Sequence, residues 1–316
     1  MTFSNEVRNE LARIIPAKKC CKKAELSALL SLKGTLLNTE EGFVLTVVME
    51  NAITARKVFK LLKECYDLQP AVRIKEHKRF KRTRVYVVET ILGAEEYEKM
   101  GELWILDDNG QIKRQVKHAL ISKNCCRRAY LRGVFICKGF INRPEGNYHM
   151  EMVLNDTRLA NDIQKMLMKF ELEARQSERK SGLIVYIKDS EKIVDFLRLV
   201  EASKALLDFE NVRIIKSMRN QVNRQVNCET ANLAKTVDAS IRQVELIENL
   251  LRKVGVQGLP KQFRDIAMLR IDYPDFTLKE LGEMMDPPLT KSGAAYRMKK
   301  MEEYAEDVLT ETSRDF

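Results

Sequence analysis

The chain has 316 residues, 45% of them hydrophobic, which is enough for two domains with sizeable cores and excludes a disordered tail. Its net charge of +10 points to a polyanionic partner. No apolar run approaches the roughly 20 residues of a membrane span, and no basic amphipathic helix with an aromatic face favours a membrane surface. Glu6 and Glu10 occupy the place where a signal peptide needs an apolar core. A cytoplasmic, nucleoid-associated protein is expected.

In chain order, Ser4 is placed to cap a first helix that Pro16 stops. A second helix runs from Cys20 to Lys33. Phe43 to Val48 is β-branched and reads as a strand, and Asn51 caps the helix that follows, ending near Tyr66. Ala71 to Ile74 and Val85 to Val88 read as a hairpin, and Leu92 to Met100 as a helix. The order then recurs. A helix from Cys125 to Lys138 precedes a turn at Arg143 to Asn147 and a strand from His149 to Leu154. Asn155-Asp156 starts a helix to about Phe170. Leu172 to Ala174 and Leu183 to Lys188 are expected strands, and Asp189 caps a helix ending near Val200. A short helix from Ala202 to Asn211, a linker at Arg213 to Asn220, a long helix to Lys253 and another from Lys261 to Asp272 complete the middle. Finally, Thr277-Leu278-Lys279-Glu280 has the form of a capping box. After the turn Asp286 to Thr290, Ser292 is expected to start the last helix, with Ala294, Met298, Met301 and Ala305 as its buried stripe.

The recurrence is visible residue by residue. Cys20 to Gly34 and Cys125 to Gly139 align without a gap at an offset of 105, with six of fifteen positions identical. Leu131-Arg132-Gly133-Val134-Phe135-Ile136-Cys137-Lys138-Gly139 lies over the motif L-A-G-L-I-D-A-D-G, and the pair resembles the LAGLIDADG homing-endonuclease fold. Small residues at Ala28 and Gly133 suit close helix packing. Gly34 and Gly139 are expected to end each helix in a left-handed turn. In those endonucleases the residue before the last glycine is the acid that holds the catalytic metal. Here it is Lys33 and Lys138, and an ammonium cannot ligate Mg²⁺. The expectation is a nuclease architecture that is not an enzyme.

There are seven cysteines, at 20, 21, 65, 125, 126, 137 and 228. An odd count argues against a disulfide framework. Adjacent cysteines lack the spacing of two to four residues that zinc sites use. They read as small buried residues where two helices meet, with no metal and no cofactor expected.

The segment from Arg213 onward is nearly neutral, so the basic excess lies in the duplicated body. Between Asp108 and Glu145 there is no acid and there are nine bases, Lys113, Arg114 and Lys117 among them. A second cluster holds Arg73, Lys75, Lys78, Arg79, Lys81, Arg82 and Arg84 with the single acid Glu76. Such clusters bind phosphates in a salt-dependent, sequence-tolerant way. With Lys33 and Lys138 they are candidate backbone contacts to double-stranded DNA; a solvated basic surface is the plain alternative. The C-terminal helices read as a helix-turn-helix over about 277–308, similar to the sigma-factor region 4 type. Its candidate DNA-binding residues are Lys279, Thr290, Lys291, Ser292, Gly293, Tyr296, Arg297, Lys299 and Lys300, with Arg297 and Lys300 as readers of base or phosphate.

Further matches are Phe3-Ser4, Tyr148-His149-Met150-Glu151, Phe209-Glu210-Asn211-Val212-Arg213, Asn223-Arg224 with Asn227 to Asn232, Leu278 to Gly282 and Thr290 to Gly293. Together they resemble, over essentially the full chain, the WhiA family of bacterial sporulation regulators. The resemblance implies an α+β chain: a duplicated LAGLIDADG-like α/β body joined to an all-α helix-turn-helix domain. The expected parts are repeat 1 at 1–105, repeat 2 at 106–212, a linker at 213–222 and the helix-turn-helix domain at 223–316. It further implies a DNA-binding transcription regulator of sporulation genes, or a factor in cell division and chromosome segregation, with a protein partner in transcription. A homing-type endonuclease and an architectural or RNA-binding protein are the alternatives.

Overall fold

The computed structural model describes residues 2–40, 42–77, 83–179 and 182–311. The chain divides into two compact units, Met1–Ser217 and Met218–Phe316. The first opens with α1 (Phe3–Arg13), α2 (Lys19–Lys33), β1 (Gly34–Thr39), β2 (Gly42–Met49), α3 (Ala52–Tyr66), β3 (Ala71–His77), β4 (Thr83–Leu92) and α4 (Ala94–Met100). The second copy follows as α5 (Asn124–Lys138), β5 (Gly139–Ile141), β6 (Met150–Leu154), α6 (Thr157–Met168), β7 (Arg175–Arg179), β8 (Gly182–Ile187) and α7 (Ser190–Leu199). Each copy builds its own antiparallel four-stranded sheet, in the order β1-β2-β4-β3 and β5-β6-β8-β7.

Helices α2 and α5 pack against each other, and each also lies on strands of its own sheet. That double contact explains why α2 is buried without interruption from Ala24 to Leu32. The close approach expected of Ala28 and Gly133 is present: a Cβ on Gly133 would stand 2.8 Å from the Ala28 Cβ and 2.9 Å from the Glu25 carbonyl oxygen.

The two helix-ending glycines correct the sequence reading. Gly34 (φ −84°) and Gly139 (φ −76°) are extended, not left-handed. What requires glycine is space: a Cβ would lie 2.6 Å from the Leu30 carbonyl oxygen at Gly34 and 2.3 Å from the Phe135 ring at Gly139. Ser4 is likewise no cap. It is buried inside α1, where its hydroxyl donates to the Ile141 carbonyl (2.8 Å) and accepts from the Ile141 N–H (2.7 Å), tying the N-terminal helix to the second copy. Asn51 and Asp189 do cap their helices, and in the second copy Asp156, not Asn155, accepts from the Leu159 N–H. Leu172 and Ala174 are buried in the turn after α6. The strand begins at Arg175, an exposed edge with no apolar face to betray it.

A buried ionic cluster crosses the helix pair. Glu25 on α2 is fully buried and meets the Lys57 ammonium of α3 at 2.6 Å and the Arg132 guanidinium of α5 at 3.4 Å. Lys57 also donates to the Leu11 and Ile14 carbonyls at the end of α1, and Arg132 to Val200. Burial pushes the Glu25 carboxyl up and the Lys57 ammonium down, against their mutual attraction.

Helix α8 (Ser203–Gly258) makes the expected linker helical, and the boundary between the two compact units falls within it, at Ser217–Met218. The chain is helical through Arg213–Asn220, with the only non-helical backbone at Gly255 (φ 65°). No proline or glycine interrupts the run before Gly255, and Glu10 caps its start by accepting from the Lys204 and Ala205 N–H groups. In the second unit the C-terminal part of α8 packs with α9 (Lys261–Asp272), α10 (Leu278–Glu283) and α11 (Lys291–Glu311) around Ile247, Leu250, Ile266, Leu281 and the expected stripe of α11. Among the described residues no helix is long and apolar enough to cross a membrane.

Candidate nucleic-acid interface

The capping box opens α10: Thr277 accepts from the Glu280 N–H, and Glu280 accepts from the Thr277 N–H. Gly282 lets α10 and α11 meet, because a Cβ there would lie 2.7 Å from the Leu289 carbonyl oxygen and 3.2 Å from the Ala294 Cβ. The turn closes with the Leu289 N–H donating to the Gly282 carbonyl. Thr290, not Ser292, then caps α11 by accepting from the Gly293 N–H at 3.2 Å. With Ala294, Met298, Met301 and Ala305 committed to the core, the helical period turns Ser292, Tyr296, Lys299 and Lys300 outward. Tyr296 is 67% exposed. Arg297 is half-buried at the margin and Lys291 is exposed. Lys300 pairs with Glu303 at 2.7 Å and Lys279 with Glu283 at 3.7 Å, both at the surface where such pairs exchange readily with a phosphate. Gly293 has room for a side chain: its Cβ would meet nothing nearer than 3.4 Å.

Among the described residues the body candidates differ in their surroundings. Arg73 pairs with Glu89 (3.6 Å) and Arg84 with Glu76 (2.9 Å), on the exposed β3–β4 hairpin beside exposed Lys75. Lys78, Arg79, Lys81 and Arg82 lie outside the described residues. Arg114 is exposed and Lys113 half-buried, while Lys117 turns inward and donates to the Gly101 and Trp104 carbonyls.

Lys33 and Lys138 lie at the C-terminal ends of α2 and α5, where sequence reasoning missed the surroundings. Glu50 holds the Lys33 ammonium at 2.9 Å, and that hydrogen bond keeps the Glu50 carboxyl below its ordinary range. Burial, then the like charges of Lys33 and Arg114, push the Lys138 ammonium down. A cavity of about 470 Å³ opens here, lined in part by Asn5, Arg8, Asn9, Lys33, Glu50 and Arg84. The one sequence signal for Glu50 is its place directly before the Asn51 cap. Lys33 lies seventeen residues earlier, and only the β1–β2 pairing brings the two together.

The arrangement is that of known proteins. The model of the WhiA N-terminal LAGLIDADG-like domain matches residues 19–103, that of the WhiA LAGLIDADG-like domain 127–219, and that of the WhiA C-terminal HTH domain 222–305. The "Probable cell division protein WhiA" of Syntrophomonas wolfei is 56% identical over 315 residues, covering 98% of this chain and 100% of that protein. The chain belongs to the WhiA family. The protein of the same name from Bacillus licheniformis is 43% identical, covering 98% of this chain and 97% of its own. Among solved structures, full-length DUF199/WhiA from Thermatoga maritima superposes with a TM-score of 0.59 at 22% identity, covering 97% of this chain and 99% of that one. Membership fixes the architecture as a mixed α/β LAGLIDADG-like body with a C-terminal helical HTH domain, and the HTH domain points to DNA binding.

Proposed function

We propose that this chain is a non-enzymatic regulator that binds double-stranded DNA through α11 and acts on transcription in the cell cycle. The observation that carries the reading is the outer face of α11. From Pro287 to Met301 there are four bases and no acid, and Ser292, Tyr296, Lys299 and Lys300 stand outward on one arc. Gly293 adds a backbone that nothing inside the fold requires to be bare. A helix of this kind enters a major groove with its N-terminal residues toward the bases. The name of the relatives, probable cell division protein, supports a role in division; control of sporulation genes and of chromosome segregation extends the same reading, as does location at the nucleoid.

The chemistry at the helix ends argues against cleavage. The two positions that would present acids to a metal present ammoniums, and the nearby acid, Glu50, is committed to Lys33. A divalent ion that demands oxygen ligands finds one carboxylate facing Lys33, Arg8 and Lys138. In the body, Arg73, Lys75, Arg84 and Arg114 add sequence-tolerant phosphate contacts, with Lys78, Arg79, Lys81 and Arg82 continuing that cluster in sequence.

The test is binding to genomic DNA fragments across a salt series, with and without Mg²⁺. Preferential binding to particular sequences without strand breaks supports the reading. Uniform affinity for all duplexes would favour an architectural role, and Mg²⁺-dependent cleavage would overturn the assignment.

A further inference from the structure

The N-terminal ends of α2 and α5 hold a feature that DNA binding does not use. The Sγ atoms of Cys20, Cys21, Cys125 and Cys126 lie within 4.8 Å of one another. Within each adjacent pair the sulfurs are 4.0 Å apart. Cys21 and Cys126 are buried, and Cys20 and Cys125 half-buried. Ala24 and Ala129 pack beside them, so the helices approach closely at this end.

We propose that these four cysteines form a tetrathiolate site for a zinc-class divalent cation, which clamps the starts of α2 and α5 together. A tetrahedron with Zn–S bonds of about 2.3 Å has sulfur–sulfur edges of about 3.8 Å. The cluster meets this with a contraction of at most about 1 Å, within side-chain rotation. Four sulfurs and no oxygen ligand select a soft or borderline cation over Mg²⁺ or Ca²⁺. Four protein ligands leave no open position, so the site is structural and not catalytic.

Its origin lies in the duplication. Adjacent cysteines on one helix are a poor zinc motif, but the 105-residue offset lays one pair on the other. Two helices related in this way contribute two sulfurs each. Burial pushes the Cys21 and Cys126 thiols up, and the surrounding positive charge opposes that. Both pairs sit in the first turn of a helix, where unpaired N–H groups favour negative charge. Lys18, Lys19, Lys22, Lys23, Lys123, Arg127 and Arg128 flank them in sequence. Binding converts four neutral thiols and one M²⁺ into a centre of charge −2 and four released protons, so occupancy rises with pH.

The experiment uses the full-length chain purified reduced and without chelator. Zinc content is measured by elemental analysis, Co²⁺ is exchanged into the site, and thiol alkylation is followed with and without added zinc. The expected result is one metal ion per chain, the intense visible absorption of a tetrahedral thiolate cobalt centre, and zinc protection of four of the seven thiols. Cys65→Ser with Cys228→Ser keeps these signals, and Cys20→Ser with Cys125→Ser abolishes them. Should the latter variant fail to fold, the cobalt spectrum and protection pattern of the unaltered chain decide alone. Less than a tenth of an equivalent of metal after incubation with zinc, equal alkylation with and without zinc, or disulfides among the four would overturn the proposal.

Discussion

Gly133 and Ala28 stand face to face across the central helix pair, so close that one added carbon on Gly133 would sit 2.8 Å from the Ala28 Cβ. The contact has backbone on its other side, the Glu25 carbonyl, and cannot yield by rotating a side chain. Gly133→Ala is therefore expected to cost about 1–3 kcal/mol through overpacking. The check is a lower denaturation midpoint at unchanged denaturant slope.

The buried Glu25–Lys57 pair gives a second expectation. Glu25→Leu leaves the buried Lys57 ammonium without a carboxylate, while Arg132 keeps Glu201, and should cost about 3–5 kcal/mol. Adding Lys57→Met removes the stranded charge, so the double variant should be less destabilised than the two single changes added together. Strict additivity in a double-mutant cycle would mean the pair is not coupled.

For α11, Gly293→Ala separates folding from binding. The new Cβ has space, and alanine favours a helix over glycine by up to about 1 kcal/mol. The melting temperature should hold or rise while DNA affinity falls. Unchanged affinity would remove Gly293 from the interface.

Arg297→Ala and Lys300→Ala should each weaken DNA binding. A residue that neutralises one phosphate should, on removal, lower the slope of log affinity against log salt by about 1. A base-reading residue should instead change which sequence is preferred. The two outcomes assign each side chain to backbone or base.

The Lys33–Glu50 pair sets a pH dependence. Glu50 has a folded-state pKa below its unfolded value, so its contribution is complete above the ordinary carboxylate value of about 4.3. That contribution is lost as the pH falls through the lower folded value. Glu50→Gln should therefore be less stable than the unaltered chain at neutral pH, by about 1 kcal/mol or less for so exposed a pair. The difference should close on acidification. A gap that persists at pH 2 would indicate that Glu50 acts through packing.

Much of this architecture is legible where a rule is local or repeated. The 105-residue offset locates α2 and α5, the apolar stripe of α11 locates its outer face, and Asn51, Asp189 and Thr277 announce their helices. Ser4 misleads because its side chain satisfies a strand in the other copy, 137 residues away. Arg213–Asn220 misleads because its bases Arg213, Lys216 and Arg219 look solvated and an asparagine-rich run follows, although Ile214 and Met218, with Val222 and Val226 beyond, keep helical spacing. Glu25 looks like an ordinary surface acid until α3 and α5 enclose it. The four cysteines fail the zinc spacing rule within either helix, since the spacing that matters lies between copies.

The ionic cluster has a consequence for the two copies themselves. At the duplication offset Glu25 corresponds to Tyr130, and Ser27 to Arg132. Two first copies would set Glu25 against Ser27 in place of Arg132, and two second copies would bury Arg132 against Tyr130 in place of Glu25. The halves of the body are no longer exchangeable. A chain that arose by doubling has become one that neither half can rebuild by pairing with itself.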